Sequence, residues 1–511
     1  MKELKARRSV RKSAWCMALS ALCLSAHWAP AFAQESDLTG VNDVGAAADA
    51  SSHLAPDGLS AQTFTSIHSF DGTDGKLPFA ALSQATDGNL YGTTYYGGAS
   101  ASGNVFKITP AGTLKTVYSL CSESDCADGE YTYAAPVQGT DGDFYGTTYL
   151  GGANDQGTVF KLSPSGTLTT LHSFHGTDGA EPLAGVVQSA NGAFYGTTNL
   201  GGSKSDGAVF KVTAGGTFTT LHSFCSQTNC TDGLNPFAPL VLGTDGNLYG
   251  TTLGGGSHDD GTVFKTTPSG ALTILHSFCS QTGCPDGEFP QTGVIQASDG
   301  NFYGTTILGG AYGNGTIFKM TPSGTFTTLY SVCSQSGCPD GNYLYAGLTQ
   351  ATDGNLYGIM QIGGANGYGT IFRITTTGSL TTLYSFCSQT GCTDGEYPAA
   401  GLVQDTNGSL YGTTADGGTN GDGTVFRLSV GLGPFVETQP SSGKQRTTVR
   451  ILGTTLAGAT SVSFNGTAAA FKVVSSSEIT TTVPAGATTG TVQVATPGVT
   501  LSSNVSFQIA P

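Results

Sequence analysis

Charge is scarce in this chain: Asp, Glu, Lys and Arg together make up 11% of 511 residues. Beyond the first 33 residues no long amphipathic stretch occurs, which excludes a helical bundle or coiled coil. No later apolar run is long enough to cross a bilayer, so no transmembrane segment is expected in the mature chain. Ser-His-Asp arrangements, paired-carboxylate motifs, phosphate loops and nucleotide fingerprints are missing as well, so no enzyme class is singled out. What abounds is glycine, 76 residues, among Tyr, Phe, Val, Ile and Leu that alternate with Thr and Ser. Such alternation marks strands joined by tight turns and not a disordered tract, so the chain reads as all-β.

The N-terminus carries Lys2, Lys5, Arg7, Arg8, Arg11 and Lys12, then an apolar run from Ala14 to Ala26, then Ala31-Phe32-Ala33. This is the pattern of a secretory signal peptide over 1–33, and its arginine pair resembles a twin-arginine signal. A membrane anchor is the competing reading, against which the short apolar run speaks. Residues 34–62, rich in Ala, Ser, Asp and Gly without any period, read as a flexible acidic linker. Removing 1–33 takes away six basic residues and Glu3, leaving 14 basic against 34 acidic, a formal charge of −20. Nucleic acid and anionic lipid are therefore not expected as partners. Neutral sugars, cations or basic proteins fit better.

Ten cysteines of the mature chain form five C-x4-C pairs: Cys121 and Cys126, Cys225 and Cys230, Cys279 and Cys284, Cys333 and Cys338, Cys387 and Cys392. In an exported protein such pairs read as disulfides, and the alternative, zinc, needs two pairs brought together and a shorter spacing. Closing so short a loop stabilises by roughly 2 kcal/mol at most. The bridges are expected to pin local loops and not to hold the fold.

A sentence repeats through the chain. Copies of DGN(L/F)YGTT or close variants begin at Asp87, Asp141, Asn191, Asp245, Asp299, Asp353 and Asn407, at a period of 54 with one interval of 50. Such a period means an array of supersecondary units. One copy holds four strand-like runs, YLYAGLTQA (A), NFYGTTIL (B), GTIFKMT (C) and GTFTTLYSV (D), each expected to be half buried. T-D-G-N and T-P-S-G supply tight turns between A and B and between C and D. Four antiparallel strands repeated about an axis predict a β-propeller, with a linear solenoid as competitor. Its ends match: Thr63 to Phe70 is a D strand with nothing before it, and the last unit lacks a D strand. Closure by pairing them predicts seven blades over 63–432 and removes two exposed sheet edges.

Strand parity puts the tight A–B and C–D turns on one face and the longer B–C and D–A loops on the other. The B–C loops vary most, which suits either a binding surface or drift in exposed loops. His258, Asp259, Asp260, Tyr312 and Tyr368 are the ligand candidates there. Each D–A loop holds an Asp-Gly: Asp74, Asp128, Asp178, Asp232, Asp286, Asp340 and Asp394. These carboxylates could form a ring that holds a cation such as calcium, or each could make a local turn bond. Tyr131, Tyr343 and Tyr397, with their neighbours, could stack on sugar rings or pack between blades. His68, Tyr118, His172, His222, His276, Tyr330 and Tyr384 share one place in the D strands. The exchange of His with Tyr points to packing with a polar tip and not to proton transfer.

LYGTT, GGxxxxGTVFK, PSGTLTTL and the SF-C-S-x-x-x-x-C-x-D-G loop, recurring in one order across 63–430, resemble the GloVer tandem repeat of exported bacterial proteins. That family is described as having a choice of C-terminal anchor, and the resemblance implies an envelope repeat protein without an established activity. Residues 433–511 differ: P-x-S-G, V-x-I-x-G, V-x-F-N-G and I-x-x-x-V-P-A-G are similar to the IPT/TIG family. They imply an immunoglobulin-like sandwich, here without cysteine and without a hydrophobic sorting tail. The expected function is non-enzymatic binding of an extracellular glycan or protein, with no cofactor. A polysaccharide lyase or glycoside hydrolase and a purely structural surface protein are the alternatives.

Overall fold

The computed structural model describes residues 62–510, so the signal-peptide and nearly all of the linker reading lie outside the described residues. Blade 1 is built from Ser83–Gln84 (A), Leu90–Thr94 (B), Asn104–Ile108 (C) and Leu114–Ser119 (D), hydrogen-bonded in that order. Blades 2 to 6 repeat it over 137–173, 187–223, 241–277, 295–331 and 349–385. Blade 7 takes Val403–Gln404, Leu410–Asp416 and Thr424–Ser429 from the far end of the repeat and its D strand, Thr63–Ser69, from the near end. Thr63 pairs with Ser429 and Ser69 with Thr424. Phe64 on the closing strand stacks on Tyr384 of blade 6 at 3.9 Å and lies 5.4 Å from Phe426 of its own blade. The fold is a seven-bladed, all-β propeller followed by an immunoglobulin-like domain.

Burial departs from the expected half-buried strands. Every residue of each B strand up to the second Thr of YGTT is buried, while each D strand has one exposed residue and is otherwise half-buried. Each sheet is sandwiched between two neighbours, so both faces of its inner strands are covered and only the outer strand meets water. Seven apolar clusters result, each drawn from two adjacent blades; Tyr303, Ile317, Leu348, Leu356 and Phe372 join blades 5 and 6 in one of them. The repeated glycine of LYGTT follows from this packing. A Cβ at Gly304 would lie 2.6 Å from Cζ of Phe318, its cross-strand partner, so only glycine lets that ring lie across the strand.

The A strands are much shorter than the run YLYAGLTQA suggested, with only Thr349–Gln350 pairing in blade 6. The stretch before each A strand serves the preceding blade instead. Thr147 Oγ1 donates to Ala184 O at 2.8 Å, Thr251 Oγ1 to Thr292 O at 2.9 Å and Thr413 Oγ1 to Ala80 O at 3.2 Å. A second latch crosses the blades at the A–B turns: Gln138 Oε1 accepts from Thr86 N at 2.9 Å, and Gln350 Oε1 from Ser298 N at 2.7 Å. The same bond closes the ring, with Gln84 Oε1 accepting from Thr406 N at 3.0 Å across 322 positions. Leu242 stands at the equivalent position in blade 4, where the amide latch is lacking.

The C-terminal domain packs two four-stranded sheets, built on Val436–Gln439 with Thr448–Gly453 and on Ser461–Phe464 with Val492–Thr496, around Val449, Ile451, Phe464, Ile479, Val494 and Phe507. It is seated on the tight-turn face. Phe435 N donates to Thr406 O at 3.0 Å, Ser477 Oγ to Thr86 O at 2.8 Å, and Gln439 Nε2 to Gln138 O. Those oxygens belong to the A–B turns of blades 7, 1 and 2. No helix among the described residues is long and apolar enough to cross a membrane.

Candidate binding face

The loop-bearing face is organised by one backbone device. Where each D–A loop runs toward its A strand, a residue with a side chain sits in the left-handed region: Leu77, Tyr131, Glu181, Asn235, Phe289, Tyr343 and Tyr397, all at φ between 52° and 59°. Bonds on both sides hold it there. Tyr131 N donates to Ser102 O of the preceding blade at 3.1 Å, and its carbonyl accepts from Tyr149 N. Glu181 N donates to Gln156 O at 2.9 Å and its carbonyl accepts from Asn199 N at 3.2 Å. Left-handed residues other than glycine are disfavoured by about 1 kcal/mol or more and persist where the surroundings over-determine them, often at functional positions. Three of the aromatic candidates, Tyr131, Tyr343 and Tyr397, occupy this place.

Aromatic rings gather on blades 1 and 2. Tyr131 stacks on Tyr95 at 4.9 Å and meets Tyr96 edge-on at 5.4 Å; Tyr95 contacts Tyr133 at 4.7 Å, and Tyr133 meets Tyr149 at 5.5 Å. Phe79 closes the group at 5.8 Å from Tyr95. The row ends on a carboxyl, since Tyr149 Oη donates to Glu181 Oε2 at 3.1 Å. Burial lifts Glu181 above the usual carboxylate range, against that hydrogen bond. Burial also raises the Tyr131 hydroxyl, with Glu130 adding to it. Tyr95, Tyr96 and Tyr149 escaped sequence reading because they directly follow YGTT and pass for the end of a strand. Their signal is that the same place holds Asn199, Leu253, Ile307, Gln361 and Ala415 in the other blades.

A smaller group lies at blade 7. Tyr368, a B–C loop candidate, meets Tyr397 edge-on at 5.5 Å. Beside them Glu396 pairs across the sheet with Asp416. Burial raises both carboxyls, and Asp416 raises Glu396 further. Of the remaining B–C loop candidates, exposed His258 bonds Ser257 Oγ at 2.9 Å and Asp259 accepts from Gly255 N at 3.3 Å within their own loop, while the Asp260 carbonyl accepts from Phe289 N of the next D–A loop at 2.9 Å. Tyr312 is 53% exposed at a loop tip of blade 5.

The seven D–A aspartates and the seven D-strand His or Tyr residues, separate motifs in the sequence, are partners in the structure. His68 bonds Asp74 at 2.8 Å, Tyr118 Asp128 at 2.8 Å, His172 Asp178 at 2.7 Å, and Tyr384 Asp394 at 2.6 Å. His222 with Asp232, His276 with Asp286 and Tyr330 with Asp340 do the same at 3.1, 3.1 and 2.8 Å. A β-bulge in each D strand, such as the one beside Val105, turns the side chain toward its loop. In the cysteine loops the carboxylate also caps backbone: Asp394 accepts from Ser388 N, Ser388 Oγ and Gln389 N. Oxygens so engaged within one loop are drawn away from a shared cation. Burial lowers the His172 and His276 imidazoles below their ordinary value, against the raising effect of their aspartates.

All five C-x4-C pairs are disulfide-bonded, with Cα atoms 3.9 to 4.4 Å apart. Both cysteines of every pair have φ between 46° and 61°, so the bridge clamps a doubly left-handed turn. Four pairs lie beside a carboxylate, Glu130, Asp206, Asp260 or Glu396, with donor atoms within 4.8 Å of one another. Such a Cys-Cys-carboxylate group could hold a metal ion if the bridge were reduced.

The Gloeobacter/Verrucomicrobia repeat matches residues 53–240, 120–285 and 225–426. The chain belongs to that family. The repeat thus spans the blades of this family member, and the IPT/TIG domain matches residues 436–509. No curated protein matches the chain. Among solved structures, a fungal alcohol oxidase of the AA5 family in complex with copper is similar at 11% identity, covering 88% of this chain and 99% of that one with a TM-score of 0.46. A puromycin hydrolase is similar at 12% identity, over 75% of this chain and 59% of that one, with a TM-score of 0.45. The periplasmic gluconolactonase of Pseudomonas aeruginosa is similar at 16% identity, over 65% and 93%, with a TM-score of 0.37. At these scores the likenesses say nothing of activity.

Proposed function

We propose that this repeat propeller is an extracellular binding module for a neutral glycan, gripped on the loop-bearing face. The observation that carries the reading is the row Phe79, Tyr95, Tyr96, Tyr131, Tyr133 and Tyr149, at the end of which Glu181 waits as a hydrogen-bond partner. Sugar rings present an apolar C–H face that packs on aromatic rings, while their hydroxyls seek carboxyl and amide groups. The acidic charge balance favours a neutral ligand over an anionic one. Five disulfides suit an oxidising compartment, as an extracellular role requires. The C-terminal domain, docked on the opposite face, leaves the loops clear and serves as spacer or second contact. A glycan array followed by titration calorimetry tests the reading. Binding that falls at least about tenfold in Tyr131→Ala/Tyr133→Ala, at roughly 0.5–1.5 kcal/mol per stacked ring, supports it; an empty array sinks it.

One observation favours a second reading, hydrolysis or lysis of a polysaccharide. Glu396 and Asp416 are a carboxyl pair with raised proton affinity beside Tyr397 and Tyr368, which is the equipment of general acid–base chemistry. A reducing-sugar assay in which Glu396→Gln abolishes activity would establish it, and a wild type that releases no product rejects it.

A further inference from the structure

Five D–A junctions carry a cysteine loop and two do not. From Phe224 to Asp232 the chain takes eight steps, but from Phe174 to Asp178, between blades 2 and 3, and from Phe70 to Asp74, between blades 7 and 1, it takes four. The two short junctions differ in what fills the space so opened. Between blades 7 and 1, Lys76 reaches across to Asp422 at 2.8 Å. Between blades 2 and 3 the equivalent residues are Ala180 and Gln156, which match Lys76 and Asp422 in the frame set by Gly75 and Gly179 and by Gly423 and Gly157. The backbone register is the same, Ala180 bridging Leu200 as Lys76 bridges Tyr96. A cavity of about 420 Å³ remains where the lysine would lie, lined by Gln156, His175, Thr177, Ala180, Leu200, Ser203 and Ser205.

We infer that this junction pocket is a subsite for one neutral sugar unit of the glycan, an assignment that rests on the glycan-binding reading of the face. The walls have the two characters a sugar ring needs. His175 is fixed on both ring nitrogens, Nδ1 against Thr177 Oγ1 at 3.0 Å and Nε2 against Asp178 Oδ2 at 3.1 Å, so its ring is a positioned plate. With Leu200 and Ala180 it offers the apolar side. Gln156 brings an amide, and Ser203 and Ser205 bring hydroxyls, groups that both donate and accept as sugar hydroxyls do. The lining residues include no lysine or arginine, and the cation of the rim, exposed Lys204, stands between Ser203 and Ser205 outside the cavity wall. Its volume lies at the lower end of small-molecule sites, suiting one ring and not an extended chain. The pocket also joins the aromatic row: Gln156 O accepts from Glu181 N at 2.9 Å, and Glu181 holds Tyr149 Oη. A chain lying along the row is thereby led to a pocket that takes its last unit or a branch.

The molecule supplies its own control. Ala180→Lys with Gln156→Asp copies the Lys76–Asp422 plug into an identical backbone frame and should fill the cavity without disturbing the loop. Wild-type protein and the plugged variant are titrated by saturation-transfer NMR with methyl glycosides of glucose, galactose, mannose and N-acetylglucosamine, and by calorimetry with the matching hexaoses. The wild type is expected to bind at least one methyl glycoside. The plug should abolish that signal and weaken the matching hexaose about tenfold, the worth of one to two lost hydrogen bonds. Tyr131→Ala/Tyr133→Ala should lose the hexaose yet keep the monosaccharide. Hexaose binding unchanged by the plug overturns the pocket and leaves the aromatic row standing. Absence of any glycan binding by the wild type overturns both. Should the plugged variant melt early, Ser203→Ala/Ser205→Ala asks the same question from the exposed rim, with a smaller loss expected and an unchanged titration again overturning the assignment.

Discussion

The two faces of the propeller are made by the same repeat and could hardly differ more. On the tight-turn face one arrangement recurs: an Asp of DGN accepts from the Tyr of YGTT and pairs with the Lys of the C strand. Asp299 does so with Tyr303 at 2.8 Å and Lys319 at 2.9 Å, and Asp141 with Tyr145 at 2.6 Å and Lys161 at 3.0 Å. Burial raises Asp299, but the bonds from Asn301, Lys319 and Tyr303 outweigh it and bring the carboxyl down to about 2. On the loop face the frame is equally regular, with seven left-handed residues and seven capped aspartates, yet the side chains on it run Leu, Tyr, Glu, Asn, Phe, Tyr, Tyr. Uniform side chains answer to packing, and a uniform backbone with varied side chains is the pattern that the proposed glycan-binding role requires of the loop face. Blade 3 shows what variation costs on the tight-turn face. Asn191 replaces the aspartate there, and the buried Tyr195 hydroxyl is left without a hydrogen-bond partner.

Four measurements sharpen the contrast. Deleting residues 62–70 removes the strand that closes the ring and bares Val425 and Phe426; we expect no cooperative melting transition by circular dichroism, whereas a normal melt would mean that closure is dispensable. Next in size, Phe64→Ala is expected to destabilise by about 1–3 kcal/mol in urea titration, since the ring is half-buried between Tyr384 and Phe426. Tyr312→Ala on the loop face should stay within about 0.5 kcal/mol of wild type.

The third measurement concerns the seam between the propeller and the C-terminal domain. Asp405 is fully buried, where other blades carry Ala, Gly or Ser, and its Oδ2 has no hydrogen-bond partner. Burial, opposed by the Asn407 N–H, lifts Asp405 to about 6, and burial together with Asp405 lifts Glu437 to about 7. Both groups bind their protons more tightly when folded, so their stabilising effect is complete below about pH 4 and is lost as pH rises through 6 to 7. Asp299 and its equivalents act oppositely, their contribution being lost as pH falls below about 4. Stability should therefore peak on the acid side of neutrality, and Asp405→Asn should flatten the decline above the peak. An unchanged decline in that variant would remove Asp405 from the account.

The fourth measurement is at the inter-blade latches. Gln138→Leu should lose about 1–3 kcal/mol, the worth of its two side-chain hydrogen bonds to Thr86 N and Gly142 O, and Leu242→Gln, which offers blade 4 the missing amide, should recover a part of that amount. Equal and negligible values for both would make the ring of amides incidental.

Much of this was legible in the sequence because it is local. Turn residues such as Asp299-Gly300-Asn301, the period of 54, and the unmatched D strand at Thr63 follow from the pleat, the turn and the count of strands. Less legible was anything that depends on which blade lies beside which. The run before each A strand looks like strand, yet mostly bonds to the neighbouring blade, as Ala184 does with Thr147. Tyr149 looks like the end of a strand, yet it hands a hydrogen bond to Glu181 of the next blade. His172 and Asp178 each stand in a recurring place in the sequence, but nothing there pairs them, because a bulge in the D strand brings them together.

Taken alone, the sequence determined the repeat, the number of blades, the composite last blade and the two kinds of face. All of these rest on short-range chemistry that each copy states again. Tertiary structure alone decided which aromatic rings form a row, that the short loop before blade 3 opens a pocket while its twin at Lys76 is plugged, and that the C-terminal domain covers turns of blades 7, 1 and 2. Blade-on-blade packing and ring closure are the physical reason: they set side by side Tyr149 and Glu181, 32 positions apart, or Gln84 and Thr406, 322 apart, and no periodicity within a copy encodes what such neighbours will share.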